Sequence, residues 1–561
     1  MPVQYFVEDI DTLRGSYYRL AQNSTLDWIF ADGGPYTAPP GQYALRIQLQ
    51  NYIYGHAFPN HPLLTLTQWN GALVPTTLLS VEYSAYIYNA RGSAGADDIG
   101  GNDSWNILQG DPTDVFGGND WLRGFAGNDT IYGVGGSDLI EGGDDNDHLY
   151  GDWDAEAQDQ GNFAAGDDTV DGGAGADSIW SDAGQNVLIG GQGRDTVLYT
   201  GFFSTGVTYH YAHINLQTGI ASVAAVDTYT GEQYEVARDT LSEFEHVIGT
   251  DGDDVIIGYA AELYYHAPAI TLDGRYGNDS LVGGTGADNL LGGAGDDTLI
   301  SGDAPGARIL LDYLAGGAGN DTYVLTETAI IDEYNYGGGG IDTLVLGYAA
   351  AGFELEFGLE HLILQAGAGA LAATGNTSAN AMTGNGFANR LTGDAGNDTL
   401  NGGNGNDSLY GGADRDRLSG GNGHDLLSGG AAHDYLAGGA GNDTLTGAGG
   451  NDTLLGGGGR DVLSGGAGRD LFLFTMATDS GIGTAADRIA DFVSGEDRIS
   501  LKALAPVDHF IGSAAFGNRA GEWRYDSAKG LLSGDLDGNG TADFVLNLGV
   551  GTGLLASDLI L

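Results

Sequence analysis

The sequence predicts an all-β chain: multiple parallel β-rolls, each a solenoid of short strands and tight turns, with interspersed side sheets and a small N-terminal β domain. Three observations predict it. A nine-residue pattern of glycine, aspartate and one apolar residue recurs in three arrays. The segments between arrays show strand character. The first 90 residues have no nonapeptide phase and hold seven of the eleven prolines and 15 aromatics.

The last array is the most regular. From Gly393, steps of nine give GDAGNDTLN, GGNGNDSLY, GGADRDRLS, GGNGHDLLS, GGAAHDYLA, GGAGNDTLT, GAGGNDTLL, GGGGRDVLS and GGAGRDLFL, without an insertion to Leu473. Position six is aspartate in all nine: Asp398, Asp407, Asp416, Asp425, Asp434, Asp443, Asp452, Asp461 and Asp470. Position eight is leucine or, in the last unit, Phe472. Glycines permit positive φ and close backbone approach, so the first six residues read as a tight turn; three extended residues then send position eight inward. Two units make one coil, which stacks alternate aspartates along opposite edges of the roll. A flexible linker would not need aspartate and an apolar residue at fixed phases, and a metal-free solenoid would not need the acidic phase.

The charge is consistent with this. The chain carries 76 acidic against 20 basic residues, a formal charge of −56, which excludes nucleic-acid binding through a basic surface and makes cations the expected partners. There are no cysteines, so neither disulfides nor thiolate metal sites are available. A flexible cage of carboxylate and carbonyl oxygens suits Ca²⁺ better than Mg²⁺ or zinc. So much like charge opposes compaction, so the last array is expected to be unfolded without calcium.

The same phase organises the rest. An array over residues 92–198 places Asp97, Asp129, Asp138, Asp147, Asp168, Asp177 and Asp195 in phase, with Asn186 as a lapse. A second array places Asp279, Asp288, Asp297 and Asp321 in phase, preceded by a detached unit with Asp254. Asn380 and Asn389 stand for aspartate just before the last array, and are expected to coil but bind poorly. Asp145 and Asp414 occupy glycine positions, as do Phe125 and Ala448, which puts the sites at those turns in doubt. Between arrays, Phe353, Leu355, Phe357 and Leu359 alternate with Glu354, Glu356 and Gly358, as in a strand with one apolar face. The expected organisation is an N-terminal β domain (1–91), a first roll (92–198), a β insert (199–248), a second roll (249–324), a β spacer (325–374), a third roll (375–473) and a C-terminal domain (474–561).

The tail from Gly465, GGAGRDLFLFTMATDSGIGTAADRIADFVSGEDRISLKAL through GDLDGNGTADFVLNL to ASDLIL, resembles the C-terminal domain of serralysin-type metalloproteases and related RTX exoproteins. The nonapeptide matches the RTX calcium-binding repeat. The resemblance implies export from a Gram-negative bacterium by a type I secretion apparatus, guided by an uncleaved C-terminal signal. It implies folding on extracellular calcium, and agrees with the lack of an N-terminal signal pattern and of a membrane-spanning stretch. The position-six aspartates, with neighbouring turn carbonyls, are its implied calcium ligands. Within the tail, Asp535, Asp537, Asn539, Gly540 and Asp543 resemble the start of an EF-hand-like loop. Its twelfth position is Leu546 rather than glutamate, which leaves a plain acidic hairpin turn as the alternative.

No enzyme site is legible. There is no H-E-x-x-H; the nearest histidine pair, His210 and His213, sits three apart in a strand-like segment. There is no G-x-S-x-G, and Lys502 and Lys529 are the only lysines, too few to suggest an acylated toxin. With 76 acids, neighbouring carboxylate pairs cannot nominate a glycosidase or lyase. The expected function is a secreted calcium-binding structural or adhesive protein, such as a surface-layer, matrix or filament component, that is not an enzyme. Self-assembly, or a cell-surface glycan or protein, would be its partner. Trp28, Trp69, Tyr52 and Tyr54 are aromatics that could serve such a partner or pack a small core. The alternative is a secreted effector, a hydrolase with an unfamiliar site or a bacteriocin, acting through its N-terminal region.

Overall fold

The structure, a computed structural model, describes residues 96–101, 103–110, 118–152, 166–200, 207–227, 233–259, 269–302, 311–333, 338–348, 352–504 and 509–561. It also describes the backbone of the strands Ile29–Phe30, Leu45–Gln50, Leu63–Gln68, Thr77–Glu82 and Asn89–Arg91. The chain divides into two compact units. One comprises Met1–Asp303, Arg308–Gly317 and Ala329–Ile331, the other Ala304–Ala307, Ala318–Thr328 and Asp332–Leu561. The described residues form strands and short 3-10 turns, with no α-helix among them. No helix among them could cross a membrane. The chain is all-β and its arrays are parallel β-rolls.

In the second unit the nonapeptide period becomes two stacked ladders of parallel strands. Arg390–Ala395, Ser408–Ala413, Leu426–Ala431, Thr444–Gly449 and Val462–Ala467 pair in succession along one face. Thr399–Asn404, Arg417–Asn422, Tyr435–Gly441, Thr453–Gly459 and Leu471–Leu473 pair along the other. The register brings each position-eight side chain over its counterpart one coil away. Leu391, Leu409, Leu427, Leu445 and Leu463 form one column, and Met382, Leu400, Leu418, Leu436, Leu454 and Phe472 the other, all buried. Because strand side chains alternate in direction, the residues flanking position eight point outward.

The turns explain the second glycine of each unit. At Gly430, φ is +114° and an added Cβ would lie 2.1 Å from the Gly412 carbonyl oxygen of the preceding coil. Only glycine takes that conformation at that approach without strain. Phe125, Asp145, Asp414 and Ala448, which stand at glycine positions, nevertheless adopt φ of +78°, +75°, +70° and +80°. The coil therefore imposes its turn on these residues too.

The first unit follows the same plan. Ile99, Leu122, Ile140, Val170 and Leu188 form one buried column, and Leu108, Ile131, Leu149, Ile179, Val197, Val247, Leu272 and Leu290 another. Within the expected insert, Val207–Asn215, Ile220–Asp227 and Gln233–Ser242 form an antiparallel meander. Its outer strands pair in parallel with coils of the roll, Val187 with Thr240 and His213 with Val255. In the expected N-terminal domain, Leu45–Gln50 pairs in parallel with Thr77–Glu82 and with Asp98–Gly100, Leu63–Gln68 pairs antiparallel with Thr77–Glu82, and Ile29–Phe30 pairs in parallel with Asn89–Arg91; apart from these strands, residues 1–91, including Trp28, Trp69, Tyr52 and Tyr54, lie outside the described residues.

One expectation needs correction. The alternation over 353–359 is not one strand: only Phe353–Glu354 is extended into a pairing, and Phe357 is 77% exposed while Leu355 and Leu359 are buried. Gly358, at φ +98°, turns the chain, so the two-residue period does not persist.

Candidate metal centres

The position-six aspartates form continuous ladders. On one edge of the third roll, the backbone N–H groups of Asn380, Asp398, Asp416, Asp434, Asp452 and Asp470 each donate to the Oδ1 of the acidic residue one coil on, at 2.7–3.0 Å, ending at Asp497. The opposite edge repeats this from Asn389 through Asp407, Asp425, Asp443 and Asp461 to Asp487. One carboxylate oxygen of each residue thus closes a turn.

The other oxygen is the informative one. Oδ2 of all nine aspartates from Asp398 to Asp470 is buried and accepts no hydrogen bond. For Asp398, Asp407, Asp416, Asp425, Asp443 and Asp452 it lies 2.1–2.5 Å from where a Cβ would sit on the first glycine of its own unit. The carbonyl oxygen of the first glycine one coil on lies 2.5–2.7 Å from the same points. Two acceptor oxygens therefore crowd one place with no donor to serve the carboxylate. Leaving a buried ionised acceptor so is costly. A hard cation, or a proton, resolves it, and an all-oxygen donor set fits calcium.

The carboxyl groups respond to this environment. Burial, opposed by the N–H donated from the preceding coil, pushes Asp398, Asp407, Asp452, Asp461 and Asp470 up to about 6. Asp416 and Asp443 rise to about 7, through burial first and neighbouring aspartates second. Asp425 and Asp434 are raised by the same burial.

In the first unit the ladders run Asp97, Asp120, Asp138 and Asp168 on one edge, and Asn106, Asp129, Asp147, Asp177 and Asp195 on the other. A further stretch links Asp254 to Asp279 and Asp297, and Asp288 to Asp312. Asp321 and Asp342 are joined in the same way in the second unit. Burial holds Asp129, Asp138 and Asp279 at about 8, Asp147 at about 7 and Asp177 at about 6. Asp129, Asp138, Asp147, Asp168, Asp177, Asp195 and Asp279 each keep a buried Oδ2 without a donor. Asp254 is different: Thr250 donates its N–H to Oδ2 at 2.6 Å and its hydroxyl to Oδ1 at 2.8 Å, so both oxygens are engaged.

Several ladder members were missed in the sequence. Asp342 closes GGGGIDTLV, a full match to the pattern, and Asp120, Asp312, Asp487 and Asp497 lie in NDWL, LDYLAGG, ADRI and EDRI, which preserve the aspartate and position eight without a complete glycine turn. Glu245 and Glu360, which accept the N–H of Asp195 and Asp342 at 3.0 Å, come from segments without the pattern and gave no such signal.

The tail loop lies between the antiparallel strands Leu531–Asp535 and Phe544–Asn547. Asp535, Asp537 and Asp543 converge, each offering an oxygen within 4.8 Å of the others. Asn539 meets them with its amide nitrogen, which donates to Asp537 Oδ2 at 2.9 Å, while its Oδ1 accepts the Thr541 N–H at 2.8 Å. Asp535 accepts N–H groups from Gly538 and Gly540, both at 2.7 Å, and Asp543 accepts that of Leu536 at 2.8 Å, so backbone donors already close this turn. His210 is half-buried and His213 exposed; three residues apart on one strand, they point to opposite faces and cannot share a metal.

Comparison with known families gives two matches. Residues 269–561 match the peptidase M10 serralysin C-terminal family. Residues 117–140, 132–155, 164–197 and 242–261 match the RTX calcium-binding nonapeptide repeat. No curated protein matches the chain.

Proposed function

We propose a function from one premise: the chain belongs to the RTX calcium-binding proteins that carry a serralysin-type C-terminal domain. RTX nonapeptide repeats bind calcium ions, and the pairing of repeats with this tail marks an exported protein. The position-six aspartates are the calcium ligands, acting through Oδ2 with the glycine carbonyls that face it. The observation that carries this is the column of buried carboxylate oxygens without donors. The tail loop, whose oxygens already have backbone donors, is a weaker site or a simple turn.

On this reading the chain leaves a Gram-negative cell through a type I apparatus while unfolded, and calcium outside closes the rolls. The rolls are calcium-stiffened spacers in an extracellular structural or adhesive protein, a surface-layer, matrix or filament component with no enzymatic activity. Residues 1–91 form its attachment or assembly module, the C-terminal domain from 474 the secretion domain. Support comes from the share of the chain given to repeats and from the absence of any recognised catalytic motif in the sequence. Electron microscopy and sedimentation of the full chain with and without calcium test it: polymers or layers in calcium, lost on deletion of residues 1–91, are expected. A calcium-loaded chain that stays monomeric and binds no cell surface overturns the structural or adhesive role.

A further inference from the structure

One turn of the first roll breaks the repeat rule in a way that changes its chemistry. Position two of a unit is ordinarily glycine, but Asp152 and Asp182 occupy it in two coils that are neighbours in space, Asp152 donating its N–H to Asp182 Oδ2 at 2.6 Å. Between them lies Asp168, a position-six aspartate only 1% exposed. The three residues offer carboxylate oxygens that all lie within 4.8 Å of one another.

Two further observations separate this cluster from a chance gathering of acids. Asp168 Oδ2 and Asp152 Oδ1 are buried and accept no hydrogen bond, and Asp152 is itself only 7% exposed. At Gly151 an added Cβ would lie 2.2 Å from Asp168 Oδ2 and 2.4 Å from Asp182 Oδ2. In the third roll the second oxygen at the equivalent point is a neutral glycine carbonyl; here it is a second carboxylate. No ion pair among the described residues supplies a cation to the three.

The surroundings fix these side chains. Asp152 Oδ2 accepts the Gly166 N–H at 2.8 Å, and Asn186 donates its amide to Asp182 Oδ1 at 3.0 Å while its own Oδ1 accepts the Asp168 N–H at 2.9 Å. Asn186, a lapse in the repeat pattern, thus becomes the donor that orients Asp182. Asp239 from the meander accepts the Asn186 N–H at 3.2 Å and so continues the ladder.

We propose that Asp152, Asp168 and Asp182 form a distinct calcium site whose added carboxylates make it tighter than the repeat turns, so that it fills first. Three carboxylate ligands in place of carboxylate plus carbonyls raise the ligand charge, which together with site rigidity sets calcium affinity in oxygen cages. The site shares Asp168 with the ladders and to that extent rests on the calcium reading of the repeats.

The test is a titration of the metal-stripped full chain with calcium, following heat and β-sheet circular dichroism, for the wild type and for Asp152→Asn/Asp182→Asn. The wild type is expected to show one site at least about tenfold tighter than the rest. The double variant should lose that site and keep the later, cooperative β transition. An unchanged number of tight sites in the variant overturns the proposal; a wild type with no calcium-dependent β signal overturns instead the reading of the repeats. Terbium provides a second measurement that does not depend on the variant folding. Trp180 stacks on Tyr150 at 4.2 Å, and these rings precede Asp182 and Asp152 by two residues. The first equivalent of Tb³⁺ should therefore emit on indole excitation, and Trp180→Phe should remove that emission; emission appearing only with later equivalents, or surviving the substitution, refutes the site.

Discussion

Removing calcium from the third roll at two pH values tests the electrostatics directly. Seven of its position-six aspartates sit at about 6 or 7 because burial disfavours their charged form, against 3.8 for the free side chain. A rise of two units corresponds to roughly 3 kcal/mol per carboxylate when ionised; allowing half of that to be relieved by relaxation and water leaves about 1.5 kcal/mol each. Seven together give about 10 kcal/mol, as large as the whole stability of an ordinary domain, about 5–15 kcal/mol. Since the folded values lie above the unfolded one, the folded chain holds more protons between about pH 4 and about pH 7, and the metal-free roll loses stability as pH rises through that window. Calcium competes for the same oxygens, so the loaded roll weakens instead as pH falls.

The assay is far-ultraviolet circular dichroism of calcium-stripped protein at about pH 5 and about pH 7.5, each with and without added calcium, the lower pH kept above the sequence pI of about 4.1 to preserve solubility. The expected result is β signal at the lower pH without metal, its loss at the higher pH, and its recovery there with calcium. Full β signal in metal-free protein at the higher pH would refute the burial argument. Absence of signal at both pH values would show that protons cannot stand in for the ion, and would refute the assignment of the raised carboxyl groups.

Other substitutions probe separate parts of the coil. Gly430→Ala places a Cβ 2.1 Å from the Gly412 carbonyl at φ +114°, and should cost about 2 kcal/mol or more in calcium, whereas Gly458→Ala, which meets nothing within 4 Å, should change stability by less than about 0.5 kcal/mol; equal melting shifts would contradict the turn geometry. Leu436→Ala empties one place in a buried column between Leu418 and Leu454 and should cost about 2–5 kcal/mol in denaturant titrations of the calcium-loaded chain. Asp443→Asn should raise the calcium midpoint of the β transition while making the metal-free chain at neutral pH easier to fold, because an amide brings its own donor; an unchanged midpoint would remove Asp443 from the ligand set.

The periodic part of this architecture was legible because its physics is local. Nine residues specify a turn, an inward side chain and a carboxylate, and the next nine specify the same, so position eight from Leu391 to Phe472 could be read as a core without knowing any long-range contact. What stayed hidden lies where a contact has no counterpart at a fixed spacing. Asp239, in the last strand of the meander, and Glu245, in the segment just after it, cap ladders far from their partners in sequence, 53 residues for Asn186 with Asp239 and 50 for Asp195 with Glu245. Asp152 and Asp182 sit one coil apart, but an insertion between them lengthens their spacing from 18 to 30 residues and hides the pairing from a fixed period. The apolar alternation at 353–359 misled for the converse reason: a two-residue period marks a strand only while no glycine turn interrupts it, and Gly358 does.

Asn380 and Asn389 show how a turn changes where an amide replaces the carboxylate. Both occupy position six, and both donate their N–H to the next aspartate of the ladder, at 2.7 Å. At Asn380 the Oδ1 accepts the Asn376 N–H at 2.8 Å, while Nδ2 donates to the Leu359 carbonyl at 3.3 Å, so the side chain meets a carbonyl of the preceding segment with hydrogen rather than with charge. The turn at Asn380 can therefore close by itself; at Asn389 the Oδ1 accepts the Asn385 N–H at 2.9 Å, but Nδ2 is buried without an acceptor. A turn with aspartate brings two oxygens to the same region and no hydrogen. In a roll where each nine-residue unit is ordered around one large buried side chain, the apolar column alone leaves little margin against chain entropy, and the ionisation state of the unit's carboxylate weighs heavily on whether its turn closes. The repeated choice of aspartate over asparagine from Asp398 to Asp470 thus gives up a turn that an amide can close, in exchange for one whose closure depends on a proton or a cation, in keeping with the folding on calcium proposed above.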